Sequence, residues 1–430
     1  MKDFAISDDP AVQLQLDRLG ALSLPDGRLG LETIRALLAR LGNPHNSLPP
    51  VFHVAGTNGK GSTCALLKAM LEAEGLLVHA ATSPHLVRYN ERIRVAGNLI
   101  DDSVLATILA EVLDAGADLH PSFFEATIAA SFLAFSRTPA DACVIEVGLG
   151  GRFDATNVIG TPAVCGIAAL GIDHERFLLA PEEGVPKDPM ARIAFEKAGI
   201  AKRGTPLVTM AYDEAQHGAI ADVAASAGAQ LRDEGRWWNY DVADGGGIAY
   251  RDKDGTFTLP APALPGDHQR ANCALATAMI RHQSAVKVSL PAMRKGARRA
   301  NWPARMQRLA PGAVTGTRQV WLDGGHNRNA GEAIAAHFHG RRIHLILGMI
   351  ASKDPAALIA PLGDSIASLT VVPIDGQDFH PVRNFGPRAR SAADVARAIA
   401  ALPDDGLPVL IAGSLYLAGN VLKLTGELPD

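Results

Sequence analysis

Along most of this chain, short, mainly apolar runs alternate with longer segments in which apolar positions recur at helical spacing. The runs at 51–55, 76–81, 142–147, 163–170 and 206–210 predict strands buried on both faces. The segments at 62–74, 101–115, 122–136 and 190–201 predict helices. Strand and helix in alternation imply an α/β domain with a largely parallel sheet. Over 232–262 the pattern changes. Trp237-Trp238, Gly245-Gly246-Gly247 and the alternating Thr256-Phe257-Thr258-Leu259 predict short antiparallel strands appended to that domain. A proline-rich stretch, 259–266, then leads into a helix at 268–282. A second boundary falls at Arg298-Arg299-Ala300-Asn301-Trp302-Pro303. Beyond it the alternation restarts, with strands at 320–323, 343–347, 369–372 and 409–412 and helices at 329–338, 356–362 and 392–401. Two domains are expected, residues 1–298 and 299–430, the second smaller and doubly wound.

Composition agrees with this division. At 430 residues, with 47% apolar side chains, the chain has material for more than one core. The net charge of −4 argues against a bulk electrostatic grip on nucleic acid, although it leaves room for a local basic pocket for a small anion. Cys64, Cys143, Cys165 and Cys273 lie far apart, without the spacing of a zinc site, and are expected as buried small hydrophobes. The first ten residues contain no apolar signal core, and no window approaches the roughly 20 apolar residues that span a bilayer. A soluble, cytoplasmic protein without a membrane partner is the expectation.

The strongest chemical signal is Gly56-Thr57-Asn58-Gly59-Lys60-Gly61-Ser62, which follows an apolar run and precedes a helical segment. Glycines let consecutive N–H groups turn toward a phosphate, the helix N-terminus adds partial positive charge, and the lysine adds a full one. The usual phosphate-loop spacing asks for Gly at position 54, occupied by Val54, and has no counterpart to Gly61 between Lys60 and Ser62. The segment is therefore a variant P-loop. The fold class expected is α/β, an N-terminal P-loop ATPase-like domain with a mostly parallel sheet plus a small antiparallel sheet, and a smaller C-terminal Rossmann-like α/β domain.

Acidic and imidazole groups stand at the ends of neighbouring runs. Glu146 closes Ala142-Cys143-Val144-Ile145, and Asp173-His174 follows the run at 163–170. A buried strand-end acid is costly unless paired or metal-bound, and the carboxyl edge of an open α/β sheet is where ligands sit. Glu146 alone is equally read as a satisfied structural acid, and a lone His is more often structural than a ligand. Beside a phosphate loop they point to Mg²⁺, which takes few protein ligands and shares phosphate oxygens. Ser83, in Thr82-Ser83-Pro84-His85-Leu86, offers either a hydroxyl to a metal or a turn cap. Arg88, Arg92 and Arg94 nearby read as solvated loop charges.

Taken in order, these motifs resemble the folylpolyglutamate synthase / dihydrofolate synthase family, within the broader Mur ligase group. Further landmarks are Phe123-Phe124-Glu125-Ala126-Thr127, Gly148-Leu149-Gly150-Gly151-Arg152-Phe153-Asp154-Ala155-Thr156-Asn157 and Phe195-Glu196-Lys197-Ala198-Gly199-Ile200. Asn301-Trp302-Pro303-Ala304-Arg305, Asp323-Gly324-Gly325-His326-Asn327 and Gly413-Ser414-Leu415-Tyr416 complete the set. The resemblance implies ATP-dependent ligation. The γ-phosphoryl group activates a carboxylate of dihydropteroate or a reduced folate as an acyl phosphate, which the amine of L-glutamate captures. It implies two Mg²⁺ ions and a monomer.

By the same resemblance, Thr57, Asn58, Gly59, Lys60, Gly61 and Ser62 bind the phosphates of ATP. Asn272, Arg305, Asp323 and His326 contact the nucleotide. Ser83, Glu146 and His174 hold magnesium. Lys197 carries a carbamate that helps hold the second ion, and Lys60, Glu146, His174 and Lys197 form the catalytic set. Ser122, Phe123, Phe124, Glu125, Phe153, Asp154 and Ala155 meet the pterin-bearing substrate. Without the family, Lys197 reads as a surface lysine paired with Glu196, and Phe123 and Phe124 as core.

Three departures stand out. The segment Asp26-Gly27-Arg28-Leu29-Gly30-Leu31-Glu32 matches only from Leu29. His174 and Lys197 are 23 positions apart, longer than expected, which implies a surface loop near 180–188. Gly325 stands where the family often has Ala. The competing expectations are a Mur-type ligase acting on another carboxylate, a nucleotide-binding module without transfer, and a small-molecule kinase. The 50 residues before the first strand leave little room for the extra domain of a cell-wall Mur ligase.

Overall fold

The computed structural model describes residues 6–22 and 30–429. Of the divergent N-terminal motif, Asp26 to Leu29 lie outside the described residues.

The first sheet is built from β1 (Val51–Ala55), β2 (Val78–Ala81), β3 (Ile93–Val95), β4 (Asn98–Leu99), β5 (Ala142–Glu146), β6 (Val164–Ile167), β7 (Pro206–Thr209) and β8 (Gln230–Asp233). Their order is β4-β3-β2-β5-β1-β6-β7-β8, parallel from β2 to β8, with the β3–β4 hairpin running antiparallel at one edge. Every residue of β1, β2, β5 and β6 is buried, which is why these segments read as mainly apolar runs. Helices α1 (Pro10–Gly20), α2 (Glu32–Arg40), α3 (Lys60–Ala73), α4 (Asp102–Ala115), α5 (Phe123–Ser136), α6 (Glu175–Leu178), α7 (Pro189–Ala198) and α8 (Glu214–Ala227) connect and cover it. The helices α1, α2, α4 and α5 share one core, through residues such as Leu16, Leu37, Leu109 and Phe132, with Val51 and Ile145 of the sheet. A second core joins α7 and α8, through Ile193 and Ile220, to Ala55, Ile167 and Leu207.

A three-stranded antiparallel sheet, β9 (Trp238–Val242), β10 (Ile248–Asp252) and β11 (Gly255–Leu259), matches the expected change of pattern. Trp238 stacks on Tyr250 at 6.1 Å between centroids, and Tyr250 meets Phe257 at 5.2 Å. Helices α9 (His268–Arg281) and α10 (Leu290–Arg299) follow, and Gly296 of α10 lies against the backbone of Met70 in α3.

The chain divides into two compact units. One runs to Ala263 and resumes over Gln269–Asn301; the other takes Leu264–His268 and everything from Trp302. The second unit holds β12 (Gln307–Arg308), β13 (Val320–Leu322), β14 (Ile343–Leu347), β15 (Ile366–Val371), β16 (Ala389–Ser391) and β17 (Val409–Ala412). Their order is β12-β13-β17-β14-β15-β16, parallel except for β12. Its core gathers Ile334, Phe338, Leu345, Leu358 and Leu410.

Candidate functional site

In the first sheet β1 and β6 are neighbours, and the chain leaves β1 toward β2 on one side but leaves β6 toward β7 on the other. That switch point opens a crevice for a ligand. Thr57 and Asn58 donate their amides to Ala169 O, at 2.9 and 3.1 Å, just beyond β6. The Thr57 hydroxyl donates to Gly171 O at 2.8 Å and accepts from Gly171 N at 3.1 Å. These bonds hold the glycine loop against the segment that leads to Asp173 and His174. Gly59 then takes φ +81 at the start of α3, a left-handed position that favours glycine, and the helix begins without a side-chain cap. The uncapped first turn at Lys60, Gly61 and Ser62 is the part of the loop suited to an anion.

Two lysines converge on one carbonyl here. Lys60 Nζ donates to Gly56 O at 3.1 Å and to Thr57 O at 3.4 Å, while Lys197 Nζ donates to Gly56 O at 2.9 Å. Lys197 is 4% exposed. Burial first, and then the charge of Lys60, lower its pKa to about 7, against the opposing pull of Asp173, Asp154 and Glu196. The surface-lysine alternative is thereby excluded: the residue is buried at the phosphate loop.

Glu146, the last residue of β5, pairs in register with Val54 and is 5% exposed. Its Oε2 accepts from Ser83 N at 3.1 Å, so two of the three expected metal-holding residues meet. His174 follows the tethered 168–173 segment at φ +53, with its side chain 40% exposed and Nε2 at 4.0 Å from Asp173 Oδ2. Among the described residues no group of three or more His, Cys, Asp or Glu side chains is arranged to hold a metal by itself. Mg²⁺ needs no such cage, because it takes one or two carboxylates and completes its shell with water and phosphate oxygens. A buried carboxylate at the strand end next to β1, which leads into the uncapped turn of α3, fits that requirement.

Gln269 escaped the sequence reading. Its Nε2 donates to Ser62 Oγ at 3.2 Å, and its Oε1 accepts from Asn272 Nδ2 at 2.9 Å. Asn272 in turn abuts Gly59, where a Cβ would overlap its side-chain oxygen. The signal available was Asn272 itself, one helical turn further along α9. Arg92 also differs from expectation. It is 2% exposed, donates from Nε to His85 Nδ1 at 2.8 Å and lies over the rings of Tyr89 and Phe123, at 5.6 and 5.4 Å. A solvated charge is thus replaced by a buried guanidinium packed between aromatics.

The expected substrate residues fall on the start of α5 and the loop after β5. Ser122 and Glu125 form a reciprocal capping box: Ser122 Oγ accepts from Glu125 N at 3.3 Å, and Glu125 Oε2 accepts from Ser122 N at 2.8 Å. Phe124 sits against Gly148, where any side chain would collide with its ring. Asp154 is 4% exposed; Oδ1 accepts from Thr156 N and Oγ1, at 3.0 and 2.5 Å, and Oδ2 accepts from Leu149 N at 2.8 Å. Burial raises its pKa. Ala155 is buried behind it, and the Arg152 guanidinium lies 4.3 Å from the centroid of Phe153.

In the second unit, Asp323 follows β13. Its carboxylate accepts from Met306 N at 2.8 Å and from Gly325 N at 2.7 Å, which bridges the turn carrying Arg305 to the turn carrying His326. Ala304 and Met306 both take positive φ around Arg305, and His326 Nδ1 lies 3.1 Å from Gly324 O. These three expected nucleotide residues form one cluster within that unit.

A lysine-bearing glycine loop at the switch point of a parallel sheet, beside a strand-end acid, defines a nucleotide-binding α/β protein. No family model matches the chain. It is 33% identical over 411 residues to the dihydrofolate synthase/folylpolyglutamate synthase of Escherichia coli, an alignment that covers 92% of this chain and 91% of that one. With the Bacillus subtilis protein of the same name it shares 31% over 420 residues, covering 92% and 94%. Among solved structures, E. coli FolC in complex with DHPP and ADP superposes with a TM-score of 0.85 at 31% identity, covering 98% of both chains. A bifunctional folylpolyglutamate synthase/dihydrofolate synthase with manganese, AMPPNP and L-glutamate bound gives 0.83 at 30%, covering 96% and 98%. The chain belongs to the dihydrofolate synthase/folylpolyglutamate synthase family.

Proposed function

We propose that this chain uses ATP to join L-glutamate to the carboxylate of dihydropteroate, to the γ-carboxylate of a reduced folylpolyglutamate, or to both. The observation that supports this most directly is the convergence of Lys60 and Lys197 on Gly56 O, at the switch point that Glu146 also borders. Both substrates are anions, so their approach needs positive charge placed in advance. Lys60 and the uncapped turn of α3 supply it for the phosphates. Lys197, buried and with a pKa of about 7, has the neutral amine that carbamate formation requires, and the product is an anion beside Lys60.

In this reading Glu146, Ser83 and His174 hold magnesium, which supplies charge neutralisation at the phosphates when bound. The protein orients the acid for attack on the γ-phosphoryl group, and the amine of glutamate then displaces phosphate from the acyl phosphate. Phe123, Phe124 and Phe153 offer ring faces to the pterin, and Ser122, Glu125, Asp154 and Ala155 shape the wall around it. Arg305, Asp323, His326 and Asn272 receive the nucleotide. The first domain, residues 1–298, takes ATP and pterin, and the second, 299–430, completes the glutamate-ligase function. A cytoplasmic monomer is part of the same proposal; four free, buried thiols suit a reducing compartment. No helix among the described residues is long and apolar enough to cross a membrane.

The test is ADP release with dihydropteroate or tetrahydrofolate, each with and without L-glutamate. Turnover that needs both acid and amine supports the ligase. ADP formed without glutamate points to a kinase, and none under any combination points to a binding module.

A further inference from the structure

The segment between α6 and α7 carries the extra length noted in the sequence, and most of it is exposed. Glu182 is one of its partly buried residues. Its carboxylate accepts from Arg152 Nη1 and Nη2, at 3.2 and 2.5 Å, and from Arg192 Nη2 at 2.9 Å. Glu196 faces the same two guanidiniums, with Oε1 at 2.8 Å from Nη2 of each and Oε2 accepting from Arg152 Nε at 3.1 Å. The four side chains close a ring of alternating charge. Arg192 and Glu196 are 6% exposed in it, Glu182 20% and Arg152 22%. Beneath lies Phe195, whose ring centroid is 5.0 Å from the Arg152 guanidinium and 5.8 Å from that of Arg192.

The ring bears on the residue next to it in sequence. Arg152 N donates to Glu196 O at 2.8 Å, and Asn157 Nδ2 donates to Arg152 O and Gly199 O, at 2.9 and 3.0 Å. A Cβ on Gly151 would stand 2.8 Å from both Glu196 O and Lys197 O. The glycine-arginine loop after β5 is therefore pressed onto the last turn of α7, from which Lys197 reaches Gly56. The extra segment grips α7 at both ends: Asp188 caps its first turn by accepting from Ala191 N at 2.8 Å, and Glu182 holds its last turn through Arg192 and Arg152.

We propose that Glu182 is a positioning residue for Lys197, closing a four-member ion-pair ring that fixes the end of α7 against the loop carrying Arg152. The proposal rests on the ligase reading for its kinetic consequence, but the clamp is a property of the fold and is measured separately. Removing one partner from a largely buried ion-pair network leaves the others uncompensated, so the ring loosens as a unit. The phosphate loop is tethered independently, through Thr57 to Ala169 and Gly171.

The experiment uses the full chain with Glu182→Ala and the isosteric Glu182→Gln. Turnover is expected to fall about tenfold, short of the roughly 10²-fold cost of a 1 Å misplacement, with KM for ATP within about twofold. Amide hydrogen exchange over residues 196–200 is expected to quicken. Formate, but not chloride at equal ionic strength, is expected to restore part of the turnover of Glu182→Ala by occupying the vacated place between the guanidiniums. Unchanged turnover, a change confined to KM, or lost turnover without faster exchange and without formate rescue each overturns the proposal. Should Glu182→Ala fail to fold by circular dichroism, Glu182→Gln carries the turnover, KM and exchange measurements. If the unaltered chain releases no ADP, the ligase reading fails, and exchange alone decides the clamp: faster at 196–200 in the variant sustains it, equal rates overturn it.

Discussion

The ammonium of Lys197 donates to the carbonyl of Gly56 across 141 positions of sequence, and Lys60 donates to the same oxygen. Burial, and then the neighbouring charge of Lys60, lower the pKa of Lys197 to about 7. Intact-mass measurement or density under bicarbonate is expected to show one added CO₂ at Lys197. A bare amine under those conditions counts against the carbamate. Lys197→Ala is expected to abolish ligation, with partial recovery on adding short carboxylates.

Lys60 is placed for charge rather than for packing, at the first position of α3 with its ammonium on two loop carbonyls. Lys60→Ala is expected to leave the circular dichroism spectrum unchanged and to lower turnover by roughly 10²–10³-fold, the scale of losing one preorganised electrostatic contact. Near-normal turnover would remove the lysine from the phosphate site.

Gly59 combines φ +81 with direct contact to Asn272. Gly59→Ala is expected to lower unfolding free energy by about 1–2 kcal/mol for the left-handed conformation alone, with a further loss from overlap. Adding Asn272→Ala relieves the overlap but leaves the conformational cost, so urea unfolding should return the double variant only part of the way. Full recovery would show that the backbone conformation costs nothing there.

Where the sequence was legible, covering on both faces made it so. β1, β2, β5 and β6 are buried at every position and apolar at all but His53, His79 and Glu146, and each stands inside the run that predicted it. The strands β3, β4, β12 and β16, at or next to a sheet edge, span only two or three residues with polar positions, too short to establish a period. Gly56 through Lys60 read as a glycine loop between a strand and a helix, and the loop does join β1 to α3. Ser122 and Glu125 were harder: the spacing that caps a helix is also a pair of groups able to meet a substrate, and in the fold they satisfy each other. Arg92 and Glu182 lie in loop-like polar sequence. Their burial depends on partners far along the chain, His85, Phe123, Arg152 and Arg192, which no local pattern encodes.

The buried chain His53–Thr156–Asp154 gives the fold an acid dependence of its own. Thr156 Oγ1 donates to Asp154 Oδ1 at 2.5 Å, and His53 Nε2 donates to Thr156 Oγ1 at 2.8 Å, while His53 Nδ1 is buried without a hydrogen-bond partner. Burial lowers His53 from the ordinary value of 6.5 to about 3. Between those values the unfolded chain takes a proton that the folded chain refuses. Stability contributed by this group is therefore fully present above pH 6.5 and falls as pH drops toward 3, by up to about 1.4 kcal/mol per unit. Asp154 acts in the opposite sense, because its raised pKa lets the folded chain accept a proton first as pH falls. His53→Gln keeps a donor for Thr156 and removes the titrating group. Urea unfolding between pH 7 and pH 5 is expected to give a shallower pH slope for the variant than for the unaltered chain, by a difference that approaches about one proton at pH 5. Identical slopes would mean that the imidazole at position 53 is protonated in the folded state, contrary to its burial.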